Sequence, residues 1–334
     1  MTARIRPSLG AEHARIYGVG AYRPSRIVTN AEIVERIDSS DEWIRERSGI
    51  VERRWAADDE SVTDMAVQAA GKALAHAGVA PEQVGAVIVS TVTHLLQTPS
   101  SSADVAHRLG AASAAAFDVS AACAGFCYGV GLANDMVRGG SASYVLVIGV
   151  EKLSDITDPE DRSTAFIFGD GAGAVVIGPA EEPGIGPTIW GADGSQLDAI
   201  EQNTPWSIYK TNPEAAFPTL RMAGQQVFRW AVWQMAPIAR RALDAAGIRA
   251  EDLDAFIPHQ ANMRITDAMI KALQLPDHVV VARDIATTGN TSAASIPLAM
   301  SRMLEAGEVK SGGTALLIGF GAGLVYAAQV VTLP

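Results

Sequence analysis

The chain has 334 residues, 48% of them hydrophobic and only 6% aromatic, with Ala and Gly abundant; this suits one large or two intimate α/β domains and does not read as disorder. A formal net charge of −11, from 37 acidic against 26 basic residues, argues against a nucleic-acid binder, which needs a basic footprint. No segment reaches the ~18 uninterrupted apolar residues of a membrane span, and no long apolar run follows Arg4 and Arg6 as a signal peptide requires.

In chain order, periodicity predicts a strand over Ala14–Gly20, short helices over Asn30–Ile37 and Asp41–Arg47, and a helix over Asp64–Ala77 with Met65, Ala66, Ala69, Ala73 and Leu74 on one face. A buried strand follows at Val84–Ser90, a helix at Ser101–Leu109 and a strand at Ala115–Val119. The helical pattern from Gly125 to Val137 stops at Gly139-Gly140. Strands at Tyr144–Val150 and Ala172–Gly178 complete the first half, and Ala180-Glu-Glu-Pro-Gly184 marks a link. The segment Asp193–Pro218, polar and irregular with Trp206, Tyr209 and Pro213, shapes a pocket wall or simply caps a domain. Then come a long helix (Val227–Ala246), a strand (Ala255–Pro258), a helix (Met263–Leu273), a strand (Val279–Val281), a helix (Ser292–Ala306) and strands at Thr314–Gly319 and Val325–Thr332. The second half thus repeats the order of the first, giving units 1–180 and 181–334. The parallel is drawn between the strand running to Cys123 and the strand-turn Thr314–Gly323, although the latter continues into another strand. Alternating helices and strands alone also suit a doubly wound sheet.

The most informative stretch is Ala116-Phe-Asp-Val-Ser-Ala-Ala-Cys-Ala-Gly125. It places Cys123 on a small-residue turn between strand and helix, where unpaired N–H groups and the helix dipole favour a thiolate. The alternative is a buried structural cysteine. Cys127 lies one turn further on and reads as packing. With two cysteines and no CxxC or disulfide framework, a reducing cytoplasm fits. Ile257-Pro-His-Gln-Ala-Asn262 puts His259 after an apolar run, and Thr288-Gly-Asn-Thr-Ser-Ala-Ala-Ser295 puts Asn290 in a glycine-flanked turn. Each alone is ordinary. Together they supply a nucleophile and two neutral donors, a set that acyl-thioester chemistry uses.

These motifs, with Gly319-Phe-Gly-Ala-Gly323, Asp41-Glu-Trp-Ile44 and Phe168-Gly-Asp-Gly-Ala-Gly173, resemble the ordered motifs of β-ketoacyl-acyl-carrier-protein synthase III from about Ala14 to Leu333. The resemblance implies a thiolase-like fold, two related α/β halves stacked as a five-layer αβαβα sandwich. It also implies the initiating condensation of fatty-acid synthesis. Acyl-CoA would acylate Cys123, and His259 and Asn290 would bind the malonyl thioester carbonyl of a loaded acyl carrier protein. Donors for the tetrahedral oxyanion would be the N–H groups of Cys123 and Ala322, beside Gly321, with Phe320 controlling water near the nucleophile. Trp43 and Arg162 resemble residues stacking on either side of the CoA adenine, and Arg47 one at the nucleotide end. Asn262 and Arg264 resemble tunnel-mouth residues, with Gln260 and Arg264 taken as carrier-protein docking positions. Further basic candidates for an acidic carrier are Arg221, Arg229, Arg240, Arg241 and Lys271. Thr98, where some relatives carry Phe, implies a wider acyl pocket for short straight or branched starters. A homodimer is implied; no metal, flavin or nucleotide cofactor is expected. The competing readings are a relative that moves the acyl group to another nucleophile without condensation, a non-catalytic partner subunit, and a thiol hydrolase. Retention of Cys123, His259 and Asn290 favours condensation.

Overall fold

The structure, a computed structural model, describes residues 4–212 and 214–334, so Pro213 lies outside it. The first half runs β1 (His13–Tyr22), β2 (Arg26–Thr29), α1 (Asn30–Val34), α2 (Asp41–Ser48), β3 (Glu52–Trp55), α3 (Val62–Ala77), β4 (Val84–Ser90), α4 (Ser101–Leu109), β5 (Ala115–Val119), α5 (Gly125–Gly139), β6 (Tyr144–Glu151) and β7 (Gly171–Ala180). The second runs β8 (Ile189–Ala192), β9 (Ile200–Gln202), α6 (Trp206–Thr211), β10 (Leu220–Met222), α7 (Gly224–Ala246), β11 (Ala255–Pro258), α8 (Met263–Leu273), β12 (Val280–Val281), α9 (Ile285–Thr288), α10 (Ser295–Glu305), β13 (Thr314–Gly321) and β14 (Val325–Thr332).

Two five-stranded mixed sheets carry the same pattern. The first has the order β1-β7-β6-β4-β5, the second β8-β14-β13-β11-β12. In each, the first two pairings are antiparallel and the last two parallel. Helices α5 and α10 fill the space between the sheets, where Phe126, Val130, Ile296 and Met300 share one core with Ile88 and Val147 of the first sheet and Ile257 and Leu317 of the second. Helix α3 covers the outer face of the first sheet through Met65, Ala69 and Ala73, and α7 with α8 covers that of the second through Met235, Ala239 and Met269. The expected five-layer sandwich is what forms, with small residues allowing the helices close approach to the sheets.

The repeat also corrects the parallel drawn from sequence. The counterpart of the turn carrying Cys123 is not Thr314–Gly323 but the 3₁₀ turn Ser292–Ala294 between β12 and α10. Ala122 and Ser292 occupy matching left-handed conformations, φ 44° and 48°, unusual for non-glycine residues. The two turns dock crosswise: a Cβ at Gly319 in β13 would meet Ala124 Cα at 2.9 Å, and one at Gly149 in β6 would collide with Ala293 O.

Other differences have local causes. Ser61 caps α3 reciprocally with Asp64, so the helix starts at Val62. The predicted helix over 30–37 ends at Val34, α7 begins at Gly224, and α10 begins only after its 3₁₀ turn. The antiparallel pair β2–β3, whose strands are separated by α1 and α2, escapes the sequence reading because each has only four residues and β3 is Glu-Arg-Arg-Trp, without an apolar alternation. In β3, Arg53 is fully buried and donates to Val28 O (3.1 Å), Asn30 Oδ1 (2.7 Å) and Phe166 O (2.8 Å). Arg53→Met strands these acceptors and should lower stability by at least about 3 kcal/mol; an unchanged thermal denaturation midpoint would contradict this.

Candidate active site

One cavity of about 1570 Å³ gathers nearly all the expected residues. Its floor holds Cys123, His259, Asn290 and Phe320; its exposed rim holds Arg47, Arg162 and Arg264. The pocket-wall reading of the 193–218 segment holds, since Ile200, Glu201, Gln202 and Trp206 line the cavity. Trp206, Tyr209 and Phe217 meet edge to face behind it.

Cys123 sits in the 3₁₀ turn that leads into α5, half-buried and free. The sequence-based expectation of a favoured thiolate meets a counterweight. Burial pushes the thiol up to about 12, and the nearby Glu151 adds to it, while Ser292 and the Cys123 backbone act the other way. The resting sulfur is a thiol. Gly321 lies against it: a Cβ there would stand 3.0 Å from Sγ and 2.8 Å from the Cys123 backbone nitrogen, so only glycine leaves the sulfur room. Cys127 is wholly buried behind the turn, and its carbonyl accepts from Gln329 Nε2 (3.0 Å).

His259 follows β11. Its ring is buried, its Nδ1 lies 2.7 Å from Ser295 Oγ, and burial lowers its pKa to about 3, so it is neutral. Ser295 Oγ also accepts the Gln260 N–H at 3.3 Å. Among the described residues Nδ1 is the one acceptor in reach of the Ser295 O–H, so that O–H is assigned as donor to Nδ1, which leaves the proton on Nε2. Phe320 meets the imidazole edge to face, centroids 5.3 Å apart, and fixes its plane. Asn290 is pinned through its backbone: its N–H donates to Ile167 O (2.8 Å) and its carbonyl accepts from Gly169 (3.0 Å). Its Oδ1 accepts from Ser292 N–H (2.8 Å), so the Nδ2 protons are free to serve the cavity. The floor therefore offers a thiol and two neutral N–H donors in a largely apolar surround, where oriented dipoles act strongly.

At the rim, Arg162 lies over Trp43 at 4.7 Å and Arg47 at 5.9 Å from the ring centroid. An aromatic ring between Trp43 and Arg162, as the sequence reading expected, requires the guanidinium to lift off the indole. Asn262 caps α8 by accepting from Arg264 N (2.9 Å) and ties it to Arg47 O (2.9 Å). Arg264 lies over Phe228 at 5.0 Å. Gln260 is a correction: it is 1% exposed, donates to Pro258 O and Ala282 O and accepts from Ile285 N, so it cannot touch a docking protein. Of the further basic candidates, Arg221 pairs with Glu201, Arg240 donates to Ala272 O, and Arg229 lines the cavity. Thr98 lies in the exposed 94–99 loop on the cavity wall, with Ala322 across the same cavity. Sequence reasoning missed Ser295, Ser292 and Glu151. The two serines stood inside a quoted motif, but nothing in it marked them apart from its alanines.

Comparison with known proteins is unambiguous. A family model described as 3-Oxoacyl-[acyl-carrier-protein (ACP)] synthase III matches residues 117–194, and one for the C-terminal part of the same family matches 243–333. The chain is similar to the β-ketoacyl-acyl-carrier-protein synthase III of Streptomyces glaucescens, 63% identical over 99% of this chain and all of that one. It is 54% identical to the mycobacterial β-ketoacyl-acyl-carrier-protein synthase III of Mycobacterium tuberculosis, over 99% of this chain and 98% of the relative. In three dimensions it matches the priming β-ketosynthase of the R1128 polyketide biosynthetic pathway with a TM-score of 0.97 and 49% identity, covering 99% of this chain and 98% of the other. The 3-oxoacyl-acyl-carrier-protein synthase III of Aquifex aeolicus matches with a TM-score of 0.88 and 40% identity, over 96% and 99% of the two chains.

Proposed function

Because this chain belongs to the β-ketoacyl-acyl-carrier-protein synthase III family, we propose that it performs the initiating condensation of fatty-acid synthesis with the residues described above. Acyl-CoA acylates Cys123, CoA departs, and a malonyl-loaded acyl carrier protein then loses CO₂ and condenses to 3-oxoacyl-acyl carrier protein. The observation that carries this reading is the joint placement of the thiol and two neutral donors on one cavity floor. His259 Nε2–H and Asn290 Nδ2–H bind the malonyl thioester oxygen, where negative charge develops as CO₂ leaves. The carbanion attacks the S-acyl carbonyl, whose oxyanion takes the N–H groups of Cys123 and Ala322. Gly321 leaves the space for that approach.

The rim residues Trp43, Arg47 and Arg162 take the nucleotide of CoA, and Arg264, free of Gln260, meets the carrier protein with Asn262 holding its helix end. The 1–180 and 181–334 units form a duplicated pair, and two copies of the chain form a homodimer in the cytoplasm. The exposed Leu95 and Leu96 support a partner face on the 94–99 loop. No described helix is long and apolar enough to cross a membrane.

The test is a mass-spectrometric assay of purified protein with malonyl-acyl carrier protein and a panel of acyl-CoA starters. A 3-oxoacyl-acyl carrier protein product is expected with short straight and branched starters. Acyl-Cys123 without carbon–carbon bond formation would favour transfer to another nucleophile instead. In the same panel Thr98→Phe should cut turnover of branched starters relative to acetyl-CoA by about 10-fold or more, since pocket discrimination is worth about 1–3 kcal/mol per carbon. An unchanged starter ratio would remove Thr98 from the acyl pocket.

A further inference from the structure

Directly behind the nucleophile, β6 ends in a carboxyl group that the condensation described above does not use. Glu151 is fully buried. Three donors converge on one of its oxygens: Thr93 Oγ1 at 2.7 Å, Val92 N at 3.1 Å and Thr91 Oγ1 at 3.2 Å all reach Oε2. Oε1 has no hydrogen-bond partner, and neither does the buried Ser292 Oγ. The Ser292–Ala294 turn packs against both the Cys123 turn and β6: a Cβ at Gly149, two residues before Glu151, would collide with Ala293 O, and Ser292 is held by its N–H to Asn290 Oδ1 at 2.8 Å. From there Ser292 acts on both the Cys123 thiol and the Glu151 carboxyl, without a closed hydrogen bond to either. Two orphaned polar atoms beside a nucleophilic thiol call for an account.

We propose that Glu151, acting through Ser292, takes up the Cys123 thiol proton during acylation and returns it when the cysteine is released. The proposal rests on the function given above and deepens it. As the Cys123 sulfur attacks the acyl-CoA carbonyl, the S–H proton moves to Ser292 Oγ while the Ser292 O–H proton moves to Glu151 Oε1. The S–C bond forms, the acyl–CoA C–S bond breaks, and CoA leaves as a thiolate that water protonates. In the second half-reaction the carbanion left by CO₂ forms the C–C bond, the Cys123 C–S bond breaks, and the sulfur regains its proton along the same path.

The electrostatic reason is that two neighbouring buried acids resist carrying two negative charges. Transfer from thiol to carboxylate keeps the count at one. Free ionisation of the thiol beside an ionised Glu151 does not, and Glu151 indeed raises the thiol. Burial in turn raises the Glu151 carboxyl to about 7, against the lowering effect of Thr93, Val92, Ser292 and Thr91. Other charged neighbours are engaged elsewhere. Lys152 donates to Ala57 O and pairs with Asp155, and Asp170 accepts from Ser154 and Ala56.

The experiment is single-turnover CoA release from acyl-CoA between about pH 5.5 and 9.5 for wild type, Glu151→Gln and Ser292→Ala. The wild-type rate should rise through about pH 7 and then level. Glu151→Gln should be slower at pH 7 by on the order of 10²-fold and should climb about tenfold per pH unit without levelling, because the thiol must then ionise alone. Ser292→Ala, which keeps the carboxyl in place, should give the same climbing profile. A merely structural role would lower the denaturation midpoint and leave the profile shape alone. A folded Glu151→Gln that keeps the wild-type rate and the levelling profile overturns the proposal; if that variant does not fold, a wild-type profile in Ser292→Ala overturns it. Absence of any acyl-enzyme in the wild type would instead strike the underlying function.

Discussion

Cys123→Ala protein will make no detectable 3-oxoacyl-acyl carrier protein, a loss on the order of 10⁴–10⁶-fold, the scale seen when a covalent nucleophile is deleted. The fold will survive, because the residue is half-buried on a turn and the change removes a single atom that faces the cavity. Intact-protein mass after incubation with acyl-CoA should show one acyl adduct on wild type and none on the variant. Malonyl-acyl carrier protein decarboxylation, assigned above to His259 and Asn290, should continue. A variant that still condensed would require another nucleophile, and Cys127 cannot serve: it is enclosed in the central core between the sheets.

Cys123 was legible because it stands where an apolar run gives way to a small-residue turn; His259, after the apolar run of β11, and Asn290, in a glycine-flanked turn, were legible only as a set with it. The same logic failed one position past His259. Gln260 reads as a polar residue next to the candidate histidine, yet its amide ties Pro258 at the end of β11 to Ala282 and Ile285, more than twenty residues further along the chain. Glu151 was hidden for a related reason. A carboxylate ending the apolar run of β6 looks like the strand's exit to solvent, and only the loop over Thr91–Thr93 and the Ser292 turn make it internal. Arg53 was lost in a charged four-residue strand whose burial depends on α9 and on the backbone of Phe166. Local periodicity reports the side of an element that faces a core; it does not report a polar group whose partners arrive from the other half of the chain. The duplicated topology sharpens the point. The turn matching the nucleophile's was sought at a glycine motif, whereas the shared feature is a left-handed residue, Ala122 or Ser292, that neither motif advertises.

Asn290→Ala and His259→Ala should each slow decarboxylation of malonyl-acyl carrier protein by on the order of 10²–10³-fold, the usual cost of removing one preorganised donor from a developing oxyanion. The double variant should lose far less than the product of the two, since both donors serve one oxygen. Neither should abolish acylation of Cys123. Asn290→Ala keeps its backbone links to Ile167 and Gly169, so the turn stays in place while the Ser292 N–H loses its acceptor. The pH dependence carries a separate expectation. His259 has its pKa lowered to about 3 by burial and donates as neutral imidazole. In the decarboxylation half-reaction it should therefore contribute no inflection near the ordinary histidine value of about 6.5. The folded state binds a proton at this site only below about pH 3, whereas the unfolded chain binds one below about 6.5, so this group's contribution to stability is lost as the pH falls between those values. Rates of acetyl-acyl carrier protein and CO₂ release from malonyl-acyl carrier protein, followed from about pH 5 to 9, decide both matters. An unimpaired Asn290→Ala would remove Asn290 from the donor pair. An inflection near 6.5 that vanishes in His259→Ala would mean that the imidazole works as a base, and the hydrogen bond from Ser295 would then have to be assigned the other way round.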